Sequence, residues 1–389
     1  MYSTKTPLKA IDLFCGVGGL SLGFEQAGIP VLASFDYWER ALDVYNMNFA
    51  HKAVKLDLSN VTTAITELQK HSANIIIGGP PCQDFSHAGK RTEKERAELT
   101  KCFAEIVVAL KPKIFVMENV DRIIKSKVWE NAKKILKNGG YGLTENILDA
   151  SYCGCPQIRK RFFCIGILNK PDNDLTVYID RNISDNQMTV RDYFGNNIDI
   201  NYYYRHPRNY SRRAIYSIDE SSPTIRGVNR PIPKGYPGHQ GDPVKISKKV
   251  RPLTTLERSQ IQTFPKDFIW VGTKTDIEQM IGNAVPVNLA KFVAQAIIEY
   301  SNTETGKKKK DEYIDFLKWL QNTKSLTRNS AEDVVSRIKR AKNIMELDIP
   351  IEIETLLFQF MGKPAYKALT TTVKSQLKRS IKLYKEFKS

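Results

Sequence analysis

Four short apolar runs, at 8–13, 31–35, 74–77 and 113–117, punctuate the start of the chain, and helical periodicity fills the intervals between them. The first run ends in Asp12 and passes directly into FCGVGGLSLGFEQAG, a strand, a glycine-rich turn and a helix. The second ends in Asp36 and is followed by an amphipathic helix through Tyr45. The third breaks into GGPPC, and the fourth ends in Glu118. Strands alternating with helices over the first 165 residues predict an open α/β sheet of mostly parallel strands. In such sheets ligands gather at the carboxyl ends of the strands. Asp12, Asp36, Cys82 and Glu118 all fall at or just beyond such ends.

From about 170 to 250 the periodicity disappears. Pro, Gly, Asn, Tyr and Arg dominate, as in NYYYRHPRNY, which predicts a small irregular domain of short strands. Helical patterning resumes near Thr254 and ends in a helix over 287–300, after which SNTETGKKKK reads as a polar linker. The remainder reads as a bundle of about four helices. Ser330 and Asp333 form a capping-box pattern there, with Val334, Ile338 and Ala341 on one face. Val373, Leu377, Ile381 and Tyr384 recur at helical spacing, with Lys374, Lys378, Lys382 and Lys385 on another face. The expected division is 1–168, an α/β domain; 169–250, the irregular domain; 251–303, a return to the first; and 304–389, linker and helical tail.

Charge changes this picture more than composition does. With 41% hydrophobic and 26% charged residues the chain of 389 is ordinary for a globular protein, and no stretch approaches the roughly 20 consecutive apolar residues of a membrane span. The net charge is +17, but residues 201–250 carry +7 and residues 301–389 carry +8. A nearly neutral body with two basic segments suits a polyanionic partner met at defined places; a generally Lys-rich proteome is the plainer explanation. Six cysteines without a C-x-x-C pair fit neither a disulfide scaffold nor a zinc site, so a reduced, cytoplasmic protein without bound metal is expected.

Gly16 and Gly18 in DLFCGVGG permit a tight turn and close ligand approach, and Asp36 is placed for ribose hydroxyls. At this level the turn reads equally as nucleotide-binding or as a structural junction. GGPPCQDFS at 78–86 is more specific. Cys102 and Cys164 read as small buried hydrophobes, whereas Pro80 and Pro81 fix the backbone before Cys82 and a polar segment follows it. That setting suits a nucleophile. Glu118, in MENV, is a candidate buried acid, with Asn119 suggesting a hydrogen-bonded turn beside it.

These segments resemble the motifs of the DNA (cytosine-5)-methyltransferases of bacterial restriction–modification systems. DLFCGVGG is similar to that family's cofactor motif, GGPPCQDFS to its nucleophile motif, MENV to its Glu motif, and QIRKRFF at 157–163 to its Q-x-R-x-R segment. RPLTTLERSQIQTFP and QMIGNAVPVNLA resemble its closing motifs, in order, so the resemblance covers about 8–168 and 250–300. It implies a Rossmann-like S-adenosylmethionine-dependent methyltransferase sheet with a target-recognition domain. It implies Cys82 as nucleophile toward cytosine C6, Glu118 at N3, and Arg159 and Arg161 as fixed positive charge, with Arg161 nearer the base. For the cofactor it implies Phe14 against adenine, Gly16 and Gly18 at the methionine moiety, Asp36 and Tyr37 at the ribose, Asp57 and Leu58 near the adenine amino group, and Pro80 and Asn283. Asp36 stands where Glu is commoner, which shortens the carboxylate by one methylene.

For duplex DNA the resemblance implies Gln83, Phe85 and Ser86 at the flipped base, and Arg96 on phosphate. Thr224 and Ile225 resemble the Thr-plus-aliphatic pair of the recognition domain, and Arg205, Arg208, Arg226 and Arg230 are candidates for guanine edges or phosphates. The partners implied are double-stranded DNA and, functionally, a cognate restriction endonuclease, with the protein itself a monomer. Two other readings stay open: a transfer-RNA cytosine-5 methyltransferase, and an inactive DNA-binding regulator.

Overall fold

The computed structural model describes residues 7–81, 93–207, 209, 211–305, 312–347 and 351–388, with 93–98, 304–305 and 312 described by backbone alone. The chain divides into two compact units, Met1–Asn302 and Thr303–Ser389.

The first unit is built on a seven-stranded sheet. Its elements run β1 (Ala10–Leu13), α1 (Gly19–Ala27), β2 (Val31–Asp36), α2 (Glu39–Asn48), β3 (Ala53–Lys55), α3 (Val61–Leu68), β4 (Ile75–Gly78), α4 (Glu93–Leu110), β5 (Ile114–Val120), α5 (Lys127–Asn138) and β6 (Tyr141–Asp149). After a two-residue strand β7 (Gln157–Ile158), β8 (Lys160–Leu168) inserts between β5 and β6, antiparallel to both. The order β3-β2-β1-β4-β5-β8-β6 is otherwise parallel. Strands covered on both faces must be apolar throughout, and IIIG in β4 is buried at every position. The core between sheet and helices is aromatic: Phe103, Phe115, Trp129, Tyr141 and Phe162 are all buried in it. The sheet's order reverses between β1 and β4. The crevice outside the carboxyl ends of these two strands is where an open α/β sheet takes its ligand.

The irregular segment contributes α6 (Thr176–Asp180), α7 (Val190–Phe194), β9 (Tyr202–Tyr204), β10 (Ile215–Ser217), β11 (Ser222–Pro223) and β12 (Arg251–Pro252). Strands β10, β9 and β12 form a small sheet, while β11 pairs with β7 of the first domain. The chain returns through α8 (Thr255–Ile261), α9 (Lys274–Asn283) and α10 (Val287–Thr305). Ile225, Ile261 and Ile281 share one buried cluster, so the irregular segment shares its core with the returning helices. One expectation is corrected here. The stretch Lys274–Thr303 is, by length and composition, apolar enough to cross a membrane, but 67% of its most apolar window is buried inside the fold, as in a core helix.

The second unit contains α11 (Glu312–Asn322), α12 (Arg328–Ile344), α13 (Ile353–Gly362), the single turn α14 (Pro364–Lys367) and α15 (Thr371–Lys388). Val334, Ile338 and Ala341 of α12 meet Leu377, Ile381 and Tyr384 of α15 in a core of their own. The expected cap is displaced: Thr327, not Ser330, caps α12, accepting from the Ser330 backbone N–H. A hydroxyl three residues earlier captures the Ser330 N–H and starts the helix about a turn sooner.

Candidate active site

Two turns flank the crevice, one after β1 and one after β4. Phe14 adopts φ +59°, Gly16 +54° and Gly18 +91°, so the first turn runs through the left-handed region three times in five residues. Gly18 has no alternative, since a Cβ there would lie 2.5 Å from the Phe49 ring. Gly16 differs: a Cβ would meet nothing within 4 Å. That open space above a tight turn at the switch point is what a bound small molecule requires, and the glycines leave it clear. The Gly16 N–H donates to Asp36 Oδ2 at 2.8 Å, and the Trp38 N–H to Asp36 Oδ1 at 2.8 Å. Asp36 therefore braces the turn as well as standing beside it. Burial raises its carboxyl above the ordinary range, with the backbone donors of Trp38, Gly16 and Tyr37 opposing.

Other residues expected around this space fall as follows. Tyr37 is 54% exposed with the Lys55 ammonium 5.3 Å above its ring. Asp57 accepts from the Ser59 backbone N–H and hydroxyl, and Leu58 is buried. Phe14 is half-buried against the sheet core. Asn283 is exposed at the end of α9.

The second turn approaches an acid. Register places Val120 of β5 opposite Arg161 of β8, which makes Glu118 and Arg161 diagonal neighbours on one face. Diagonal neighbours are within reach of long side chains, and Arg161 Nε lies 3.0 Å from Glu118 Oε1. A Cβ on Gly79 would come to 3.2 Å from Glu118 Oε2, so the chain leaving β4 runs past the carboxyl itself. Asn119 donates to the Pro80 carbonyl at 2.8 Å, fixing the backbone two residues before Cys82. Burial raises the Glu118 carboxyl above its ordinary value, and the nearby guanidinia of Arg161 and Arg159 pull it back. Burial favours the protonated form of this acid, and in that form, gripped by one arginine, it can donate to a ring nitrogen.

Arg159 lies close enough to Glu118 for its charge to act on that carboxyl. It is 1% exposed and donates to the carbonyls of Ile225, Gly282 and Ala284, each at 3.0 Å. Gln157 does parallel work: its side-chain oxygen accepts from the Ile225 N–H at 2.7 Å and its amide donates to Gln262 at 2.7 Å. Thr224 donates to the Ile158 carbonyl at 2.7 Å. A Cβ on Gly282 would sit 2.1 Å from the Gly227 nitrogen, so α9 packs directly beneath the same segment. Thr224 and Ile225 thus sit in a joint between the irregular segment, β7 and α9. Neither Gln157 nor Gln262 was singled out as a site residue from the sequence, although Gln157 opens the Q-x-R-x-R segment.

Of the arginines expected to read DNA, Arg205 donates to the Thr224 carbonyl at 2.8 Å, and Arg226 to the His206 carbonyl. Arg230 is exposed. Cys82, Gln83, Phe85, Ser86 and Arg208 lie outside the described residues, as does the Arg96 side chain.

Beneath the first turn Asp12 begins a buried polar chain whose other members carried no signal in the sequence. Ser21 donates to Asp12 Oδ2 at 2.6 Å, Tyr45 OH contacts Ser21 and Ser34, and His51 Nε2 lies 2.7 Å from Tyr45 OH. Asp12 Oδ1 is buried without a hydrogen-bond partner. Burial, chiefly, raises the Asp12 carboxyl to about 8. The unfolded chain ionises near 3.9, so this group favours folding at acid pH and withdraws that support as pH climbs from about 4 to about 8, on the order of 5 kcal/mol in all. Asp12→Asn removes the titration but leaves a buried amide N–H short of a partner, which costs roughly 1–3 kcal/mol. Thermal melts from pH 5 to 9 are expected to cross, the variant less stable than the parent at pH 5 and more stable at pH 9. Parallel curves would mean that Asp12 is ionised throughout.

A family model described as C-5 cytosine-specific DNA methylase matches residues 8–299. The chain is 58% identical over 295 residues to the Type II methyltransferase M.HindV of Haemophilus influenzae, covering 75% of this chain and 97% of that one. It is 53% identical to M.HgiDI of Herpetosiphon aurantiacus, covering 76% and 96%. Among solved structures, the S. pombe Dnmt2 methyltransferase aligns at TM-score 0.54 and 18% identity, covering 76% of this chain and 99% of its own. The Entamoeba histolytica methyltransferase EhMeth gives the same score and identity, covering 78% and 100%. Both show a common fold.

Proposed function

The chain belongs to the C-5 cytosine-specific DNA methylase family and is a DNA cytosine-5 methyltransferase; on that premise we propose that it modifies one cytosine of a short duplex sequence through a covalent Cys82–C6 adduct on a flipped-out base. The buried Glu118–Arg161 pair beside the turn that leads to Cys82 carries this reading.

Cytosine C5 is a poor nucleophile. Addition of the Cys82 thiolate to C6 moves electron density onto C5, while the proton of Glu118 holds N3 and offsets the charge developing in the ring. Arg161 orients Glu118. When bound, S-adenosylmethionine supplies a sulfonium methyl that the enriched C5 attacks. Loss of the C5 proton to water then restores the C5–C6 double bond, returns the N3 proton to Glu118 and expels Cys82 as thiolate. C6 is out of reach within a stacked duplex, so the base leaves the helix at a cost of a few kcal/mol. Gly16 and Gly18, Asp36 and Tyr37, and Asp57 and Leu58 would hold the methyl donor, with Phe14, Pro80 and Asn283 closing on it; the clear space at Gly16 supports that fit.

In this reading residues 169–250 form the target-recognition domain, with Thr224 and Ile225 joining it to the catalytic body. The protein acts as a cytoplasmic monomer, paired in function with an endonuclease of the same sequence specificity. The relatives' designation as Type II methyltransferases sides with DNA over transfer RNA. Bisulfite sequencing of DNA from cells expressing the protein is expected to show a single sequence context protected at one cytosine. No protected context, or methyl groups on N4 instead of C5, would overturn the reading.

A further inference from the structure

The family match ends at residue 299, and the relatives account for about three quarters of the chain. The helical unit from Thr303 onward is therefore an addition that the methylase body does not explain. It is a folded body with its own core, and it is strongly basic, with 19 Lys and Arg against 11 Asp and Glu over 303–389.

The placement of that charge is uneven. Helices α12 and α15, packed on each other, hold 11 Lys and Arg against three acids. That difference equals the net charge of the whole unit. All three carboxylates are already engaged, Glu332 by Arg328 at 2.7 Å, Asp333 by Arg337 at 3.2 Å, and Glu386 by Lys324. At one place the two helices bring cations together. Lys339 and Lys342 stand 5.6 and 5.4 Å from the Tyr313 ring, Lys342 and Lys388 stand 4.8 and 5.6 Å from the Tyr384 ring, and Lys342 Nζ lies 2.8 Å from Tyr384 OH. Arg340, Arg379 and Lys382 are exposed on the same two helices. Gathering like charges costs free energy that a polyanion relieves.

We propose that the α12–α15 face is a second nucleic-acid site that grips the phosphates of duplex DNA without reading its sequence. A bilayer partner would call for apolar side chains among the cations. Among the described residues the unit's exposed large hydrophobics, Phe358 and Met361, both lie on α13. The family's own substrate supplies the duplex, and a second grip on the same molecule raises affinity through effective concentration.

The test uses the full-length protein and a 30-base-pair duplex of arbitrary sequence, titrated at several salt concentrations. Lys339→Gln/Lys342→Gln/Lys388→Gln is expected to lower the slope of log affinity against log salt by roughly 2–3, about 0.9 for each lost phosphate contact. Methylation at saturating DNA should be unchanged, while the KM for DNA rises. Lys388→Gln alone removes one exposed member of the cluster at the end of α15 and is expected to lower the slope by about 0.9, so it decides the matter should the triple variant fail to fold. A slope and affinity equal to those of the parent in a folded variant would overturn the proposal. So would a loss of binding to phosphatidylserine vesicles with none to DNA.

Discussion

Cys82→Ser is expected to leave the protein folded and to abolish methyl transfer. A serine hydroxyl is close to the thiol in size but does not ionise near neutral pH, so addition to C6 loses its nucleophile. The rate should fall by on the order of 10⁴-fold or more, the scale on which removing a covalent nucleophile acts. The melting temperature should move by no more than about 3 °C, because serine and cysteine are nearly the same size and shape. Radiolabelled methyl transfer to genomic DNA measures the first and a thermal melt the second. Turnover within tenfold of the parent would remove Cys82 from the mechanism while leaving the family assignment standing.

Glu118→Gln is expected to slow methylation by roughly 10²–10³-fold, the range of a lost general acid, and to change the shape of its pH profile. Burial holds the Glu118 carboxyl above its ordinary range against the pull of Arg161 and Arg159. The proton that N3 needs is therefore present below that raised value and is lost as pH climbs through it. Glutamine has no such proton to lose. The parent should lose activity on the alkaline side where the variant does not. Single-turnover rates between pH 5.5 and 9 separate the two. An alkaline limb of the same position in the variant would assign it to another group.

Much of this site was legible because its pieces are local. DLFCGVGG, GGPPC and MENV each sit at a strand end, so their neighbours in sequence are also their neighbours in space. The face shared by Glu118 and Arg161 is a matter of strand register, which the alternation of β5 and β8 carries only after their antiparallel pairing is known. Gln157 and Ile225 each fell within a recognisable motif, but that they join through Gln262 could not be read, because those hydrogen bonds span 68 and 105 residues and no periodicity encodes them. Arg205 and Arg226 were placed by charge alone, and charge does not distinguish a guanidinium that faces a phosphate from one that closes on a nearby carbonyl. The misplaced cap at Ser330 has a local cause: two hydroxyl residues three apart offer two starts, and Thr327 comes first.

The grip of Arg159 also sets a schedule for biosynthesis. Its guanidinium joins carbonyls 66, 123 and 125 residues further along the chain. At about 5–20 residues per second, the ribosome needs roughly 6–25 s after making this arginine to deliver the last of them. During that interval the residue linking β7 to β8 has a guanidinium without its carbonyl partners, at a position that is 1% exposed in the finished protein. The last of the three carbonyls, that of Ala284, follows α9, so this joint cannot be completed until α9 has been made. Slow steps of this kind, set by distant contacts, leave a window in which the half-made protein depends on chaperones, and in which an incomplete methylase cannot yet act on DNA.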